Sequence, residues 1–182
     1  DQVDGDRIRY ADAVVVAGNG NNGGDGFVLA QLAHQAGLTV RVLQLGDCNK
    51  ISGAARLHMQ HFRQSDGDIQ EFHELPNKTD VIVDAIFGTG LARDISGYWA
   101  DAVQLINAHR APVLSLDIPS GLHADNGQVL GDAVVADLTT VDQVIHAIKE
   151  MFVRGAPLIG VTGAYGVMIA ALNGQAAADH LG

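Results

Sequence analysis

The sequence predicts an α/β fold: a doubly wound, mainly parallel sheet with helices on both faces, in three layers. Three observations predict it. Short apolar runs and helix-like runs alternate strictly along the chain. The apolar runs are continuous rather than alternating, which is the pattern of strands buried on both faces. Glycines punctuate the strand ends, with 22 glycines, four prolines and no repeat period in 182 residues.

The elements follow in order. Ala13 to Ala17 is a β-branched strand stopped by Gly18. A glycine-rich turn runs from Gly18 to Gly26, and the helical pattern starts at Phe27, with Gly37 as its C-terminal stop. Thr39 to Leu45 is the next strand, and Ser52 to Gln64 the next helix, with Ser52 in the capping position. Asp80 to Phe87 is a strand ending at Gly88. Tyr98 to His109 is a helix whose Val103, Leu105 and Ile106 are available for burial. Pro112 to Ile118 is a strand cut off by Pro119-Ser120-Gly121. Right-handed crossovers place every strand-to-helix loop at one sheet edge, and ligands enter there, where the strand order reverses.

The length suits one domain over residues 1–182, and 47% hydrophobic residues suffice for a core. The net charge of −10, from 11 Lys+Arg against 21 Asp+Glu, repels phosphate backbones and argues against nucleic-acid binding. A nucleotide can still be held locally by backbone N–H groups. Cys48 is the only cysteine, so no internal disulfide forms, which fits a reducing, cytoplasmic setting. No apolar run approaches the roughly 20 residues of a membrane span. Asp1 to Arg9 is too polar for a signal peptide, and without a starting Met the chain reads as a processed form or an excerpt of a longer protein.

Gly18-Asn19-Gly20-Asn21-Asn22-Gly23-Gly24-Asp25-Gly26 is the most informative stretch. Gly18, Gly20 and Gly23 satisfy G-x-G-x-x-G between a buried strand and a helix, a Rossmann-like arrangement in which backbone approaches a diphosphate at the helix N-terminus. The same glycines would also serve a tight turn with no ligand. A dehydrogenase is disfavoured, because its second strand closes on an acidic residue for the ribose hydroxyls. Here that strand ends Leu43-Gln44-Leu45-Gly46, with Asp47 late. Three Asn and one Asp also make the loop more polar than a diphosphate requires.

Three stretches together resemble the YjeF N-terminal family of NAD(P)H-hydrate epimerases. They are Asn21-Asn22-Gly23-Gly24-Asp25-Gly26, Val83 to Leu91, and Leu116-Asp117-Ile118-Pro119-Ser120-Gly121-Leu122 followed by Ala124, Asp125 and Gly127. The resemblance runs clearly from Val14 to Asp137 and weakly to Gly174. It implies interconversion of the R and S forms of hydrated NADH and NADPH (NADHX and NADPHX), whose nicotinamide ring carries a hydroxyl on the carbon beside the nitrogen. It implies one potassium ion per subunit held by Asn22, Asp84 and Ser120, all oxygen donors. It implies substrate contacts at Asn21, Asn22, Gly23, Gly24 and Asp25, at Gly88, Thr89, Gly90, Leu91, Ala92, Arg93 and Asp94, and at Asp117. It implies a homodimer and a dehydratase, fused or separate, that restores the cofactor.

The residues support much of this on their own. Asp84 and Asp117 end strands that are otherwise apolar, where a carboxylate must be paired, hydrogen-bonded or bound to a cation. Helix capping or loop bracing is the plainer role for each. Asp117 is the candidate acid/base, since the reaction needs proton transfer and Asp117 is not assigned to the cation. Only Asp1 to Asp12 precede the first strand, where family members carry a helical segment that helps form the dimer. Val141, Val144, Ile145, Ile148 and Phe152 fall at helical spacing, with Thr140 as cap, where the family has a strand leading to a lysine. Lys149 is therefore either a site residue or a solvated helix lysine. The other function class is a non-catalytic nucleotide-binding scaffold of the same fold. Degenerate copies should lose the acids and the Asn-Asn-Gly-Gly-Asp loop, and this chain keeps both.

Overall fold

β1 (Asp12–Ala17) is central because both of its faces are apolar. Val14 and Val16 enter one core cluster, while Ala13, Val15 and Ala17 enter the other. The computed structural model describes residues 12–135, 140–142, 144–145 and 166–169. The chain divides into two compact units, Asp1–Val135 and Ala136–Gly182, and the architecture that follows is that of the first.

β2 (Thr39–Gln44) and β4 (Val81–Ala85) flank β1, with Val15 in register with Val42 on one side and Val83 on the other. β3 (Asp68–Glu71) and β5 (Val113–Ser115) lie outside them, giving the all-parallel order β3-β2-β1-β4-β5. α1 (Asn21–Gln35) and α2 (Gly53–Gln64) set Phe27, Ala30, Ala55, Met59 and Phe62 on one face of the sheet. α3 (Tyr98–Ala108) sets Ala100, Ala102, Val103 and Ile106 on the other. Burial of both faces produces the three-layer, Rossmann-like fold that the apolar runs predict. The strand order reverses between β1 and β4, which opens a crevice at their C-terminal ends.

Several local expectations differ from what forms: β4 covers Val81–Ala85 rather than Asp80 to Phe87, and Leu105 on α3 is exposed rather than buried. α1 begins at Asn21 rather than Phe27, so much of the expected glycine turn is buried helix. Those glycines set packing distance: a Cβ at Gly24 would lie 2.9 Å from Ala55 Cα, and one at Gly26 would lie 2.7 Å from Ala85 Cβ. Close helix packing overrides the poor helix propensity of glycine. β5 ends at Ser115 rather than Ile118, because Asp117 takes φ 65°, which no strand can continue. β3 is unforeseen. Its Asp-Ile-Gln-Glu sequence is the polar composition of an edge strand, tied to β2 by the Arg41–Asp68 ion pair at 2.7 Å. Ser52 does sit at the N-cap of α2, but its side chain makes no capping bond. In the second unit, residues 141–142 and 144–145 are helical, and Val144 N–H donates to the Thr140 carbonyl at 3.2 Å. Lys149 lies outside the described residues.

Candidate active site

Asp84 on β4 is in register with Val16 of β1 and Ser115 of β5, and it is fully buried. A carboxylate there must be met by donors. Four converge on it. Oδ2 accepts from the Ser120 N–H at 2.8 Å and the Ser115 hydroxyl at 2.9 Å. Oδ1 accepts from the Ser120 hydroxyl at 2.5 Å and the Ile86 N–H at 3.3 Å. Burial pushes the Asp84 carboxyl above the ordinary carboxylate range, and the bonds from Ser120, Ser115 and Ile86 only partly oppose it.

Ser120 is itself buried and joins Asp84 to the loop after β4. Its Oγ accepts from the Phe87 N–H at 2.9 Å and lies 3.1 Å from the Phe87 carbonyl, a second acceptor for its one hydrogen. Asn22, in the first turn of α1 and 7% exposed, donates its Nδ2 to the same carbonyl at 2.8 Å. The Oδ1 of Asn22 is buried and has no partner among the described residues. The segments after β1, β4 and β5 therefore meet at the backbone of Phe87. The Phe87 ring packs against Trp99 instead, with centroids 5.1 Å apart.

Asp117 belongs to the same group but faces outward. It is exposed, and its Oδ2 accepts from the Thr89 N–H at 2.8 Å. Its Oδ1 takes no hydrogen bond from the described residues. A Cβ at Gly88 would sit 2.4 Å from Oδ2, so glycine there lets the carboxylate reach Thr89. A non-glycine residue held in the left-handed region stores strain, a frequent mark of functional positions.

The first loop is shaped by close approach. A Cβ at Gly18 would lie 2.2 Å from the Ile86 oxygen, and one at Gly23 would lie 1.9 Å from the Gly18 oxygen. Side chains at these positions would drive β1, β4 and α1 apart. The first intrahelical bond of α1 is Gly24 N–H to the Gly20 carbonyl at 3.1 Å, so the preceding amides have no acceptor within the helix and carry the positive end of its dipole. A cleft of about 490 Å³ joins Asp25 and Asp117, with Val28, Leu32 and Leu116 as an apolar wall.

Of the other residues expected at the site, Asn21 and Asp25 are exposed, and Gly23 and Gly24 are buried in the helix seat. Gly88 and Thr89 lie against Asp117. Gly90, Ala92, Arg93 and Asp94 are exposed, and Leu91 packs towards the α3 side of the core. Sequence reasoning missed Ser115 and the Phe87 backbone. Ser115 left a signal, as a hydroxyl on an apolar strand, but its meaning depends on the register with Asp84. Phe87 acts through main-chain atoms and left none.

Residues 7–146 match the model of the YjeF-related protein N-terminus family. The chain belongs to this family. All three strand-end segments of the site fall inside the matched range of this YjeF-related domain. Among its relatives, the NAD(P)H-hydrate epimerase of Limosilactobacillus fermentum is 41% identical over 134 residues, which cover 69% of this chain and 61% of that protein. The bifunctional NAD(P)H-hydrate repair enzyme Nnr of Coxiella burnetii is 43% identical over 126 residues, 69% of this chain and 26% of that enzyme. The crystal structure of yeast ynu0 (YNL200c) aligns with a TM-score of 0.60 at 25% identity, covering 68% of this chain and 54% of the yeast chain.

Proposed function

We propose that this YjeF-related domain interconverts the R and S forms of NADHX and NADPHX. The single observation that carries the reading is the meeting of three strand-end segments, with Asp84 and Asp117, at the point where strand order reverses. The names of the relatives support the substrate. The diphosphate lies over the first amides of α1. The nicotinamide end enters the cleft beside Asp117, against Val28, Leu32 and Leu116.

The chemistry needs one proton donor and acceptor. Asp117, in its protonated form, gives its proton to the ring hydroxyl as the carbon–oxygen bond breaks and water departs. The ring nitrogen lone pair stabilises the flat cation that remains. Water returns to either face and gives a proton back to the Asp117 carboxylate, so the net change is inversion at one carbon. Asp117 can do this because one oxygen is anchored by Thr89 while the other is open.

The donor set also suits a potassium ion, held by Asn22, Asp84 and Ser120. The observation that fits is the buried, unpartnered Oδ1 of Asn22, whose side chain is linked through the Phe87 carbonyl and Ser120 to a carboxylate whose burial disfavours its charge. When bound, the ion supplies the positive charge that keeps Asp84 ionised. We further propose a cytoplasmic homodimer working beside a dehydratase, fused or separate. The bifunctional relatives support a second activity on the same chain in some members.

The test is incubation with a sample enriched in one epimer, followed by chromatography. Relaxation to the equilibrium mixture faster than the spontaneous rate is the expected result. Binding of the hydrate without acceleration would reject the catalytic reading in favour of a scaffold.

A further inference from the structure

The cleft beside Asp117 is an apolar slot with two carboxylates on it. Val28, Leu32 and Leu116 form its wall, Asp25 and Asp117 stand on it, and no basic residue among the described residues lines it. Asp25 is the fifth residue of α1 and is exposed. Its carboxylate has no ion pair and accepts no hydrogen bond among the described residues. A carboxylate here works against the diphosphate that lies over the first amides of the same helix, because like charges repel. The helix dipole gives little in return, since it acts within the first turn and no acid stands in the first turn of α1.

The reaction proposed above passes through a charged state that this slot fits. The hydrated ring is neutral. As the carbon–oxygen bond breaks, its electron pair leaves with the oxygen, which takes the proton of Asp117 and departs as water. The ring nitrogen lone pair closes onto the carbon, and the ring becomes a flat cation. Apolar walls hold a flat ring but offer a cation no counter-charge. Asp117 enters the step protonated, so it brings no charge until its proton has gone, and its carboxylate must then take a proton back from the returning water. The standing negative charge on the slot is that of Asp25, since an exposed carboxylate is ionised at neutral pH.

We propose that Asp25 is a second catalytic residue, which stabilises the cationic ring electrostatically and forms no bond to it. It acts on the charged transition state more than on the neutral hydrate, which is the condition for raising turnover rather than affinity. Two carboxyl groups, one transferring the proton and one facing an oxocarbenium-like charge, divide the work in the same way in glycoside hydrolysis. The inference rests on the epimerase reading above and adds a chemical role to the substrate contact expected of Asp25.

The experiment measures affinities of the full chain, Asp25→Asn and Asp25→Glu for oxidised NAD, whose nicotinamide ring is a flat cation, and for NADH, whose ring is neutral. The two share the rest of the molecule, so a change in diphosphate binding cancels in the ratio. The parent should favour the cationic ring, Asp25→Asn should lower that preference by about fivefold or more, and Asp25→Glu should keep most of it. On the hydrate, Asp25→Asn should lower kcat by about tenfold while KM moves by less than about threefold. If neither dinucleotide binds measurably, the division between kcat and KM decides alone. An Asp25 that serves only the helix would leave the ratio and kcat alone and shift only thermal unfolding. An unchanged ratio, an unchanged kcat, or a loss carried entirely by KM each overturns the proposal. If the parent epimerises the hydrate and Asp25→Asn matches it, this inference alone fails. If the parent does not epimerise it, the catalytic reading fails and takes this inference with it.

Discussion

Asp84→Asn separates the roles assigned to the two acids, and its outcome follows from the donors around Asp84. The new NH2 must replace either Oδ2 or Oδ1. At Oδ2 it would confront the fixed Ser120 N–H at 2.8 Å, donor against donor. At Oδ1 it meets the Ser120 hydroxyl, which can turn its hydrogen to the Phe87 carbonyl at 3.1 Å, and only the long Ile86 contact at 3.3 Å is lost. Asparagine therefore takes the second orientation. It leaves one backbone N–H unmet, at about 1–3 kcal/mol, and in return removes a buried charge. Without potassium the two effects offset to within about 2 kcal/mol. With potassium they do not. A cation at a hundred times its dissociation constant stabilises the parent by about 2.7 kcal/mol. At roughly 2–4 °C per kcal/mol for a domain of this size, that is a rise of about 5–10 °C. The assay is thermal unfolding in potassium against lithium chloride at equal ionic strength. The parent should show the difference, and Asp84→Asn should lose most of it. Equal melting temperatures of the parent in the two salts would refute the cation reading.

Three further outcomes are expected. Asp117→Asn should lower kcat by about 10²–10⁴-fold near neutral pH with little change in KM, once the spontaneous rate is subtracted, and an unchanged kcat would remove Asp117 from the chemistry. Gly88→Ala should displace the Asp117 carboxylate, because the added methyl falls 2.4 Å from its Oδ2, so activity drops while urea unfolding moves by about 1 kcal/mol or less; parent-like turnover would show that the Thr89 contact is dispensable. For pH, a folded-state value raised above the ordinary 3.8 means that protonated, buried Asp84 contributes stability below that value and loses it as pH rises through the folded value. In potassium-free buffer the melting temperature of the parent should therefore fall relative to Asp84→Asn on going from acid to neutral pH, and parallel profiles would contradict the burial argument.

Much of the fold was legible because β1, β2 and β4 are written mostly in apolar, β-branched residues that must be buried, and because helical periodicity marks α3. The start of α1 was not legible. Glycines in sequence signal a turn, and only the distances to Ala55, Ala85 and Gly18 reveal that they are places where no side chain fits. β3 escaped because an edge strand needs little apolar surface, and Ile69 is its only apolar residue. At the site, the residue types of Asn22, Asp84, Asp117 and Ser120 were readable, since polar groups at apolar strand ends demand an explanation. Their division of labour was not. It depends on Asp84 pointing inward to four donors while Asp117 turns outward at a positive φ. Ser115 depends in the same way on a fact of register that no local pattern encodes.

The junction at Phe87 bears on how the site can drift. Its N–H and carbonyl join three loops, while its half-buried ring packs on Trp99 against the edge of the core. Any residue able to pack beside Trp99 reproduces the junction without altering the main-chain atoms that form it. A library of substitutions at this position will therefore tolerate Leu, Met or Tyr and score it as ordinary packing. Only proline, which deletes the N–H, will register its importance. The structural centre of the site is thus main chain, positioned by the fit of a side chain that takes no part in it.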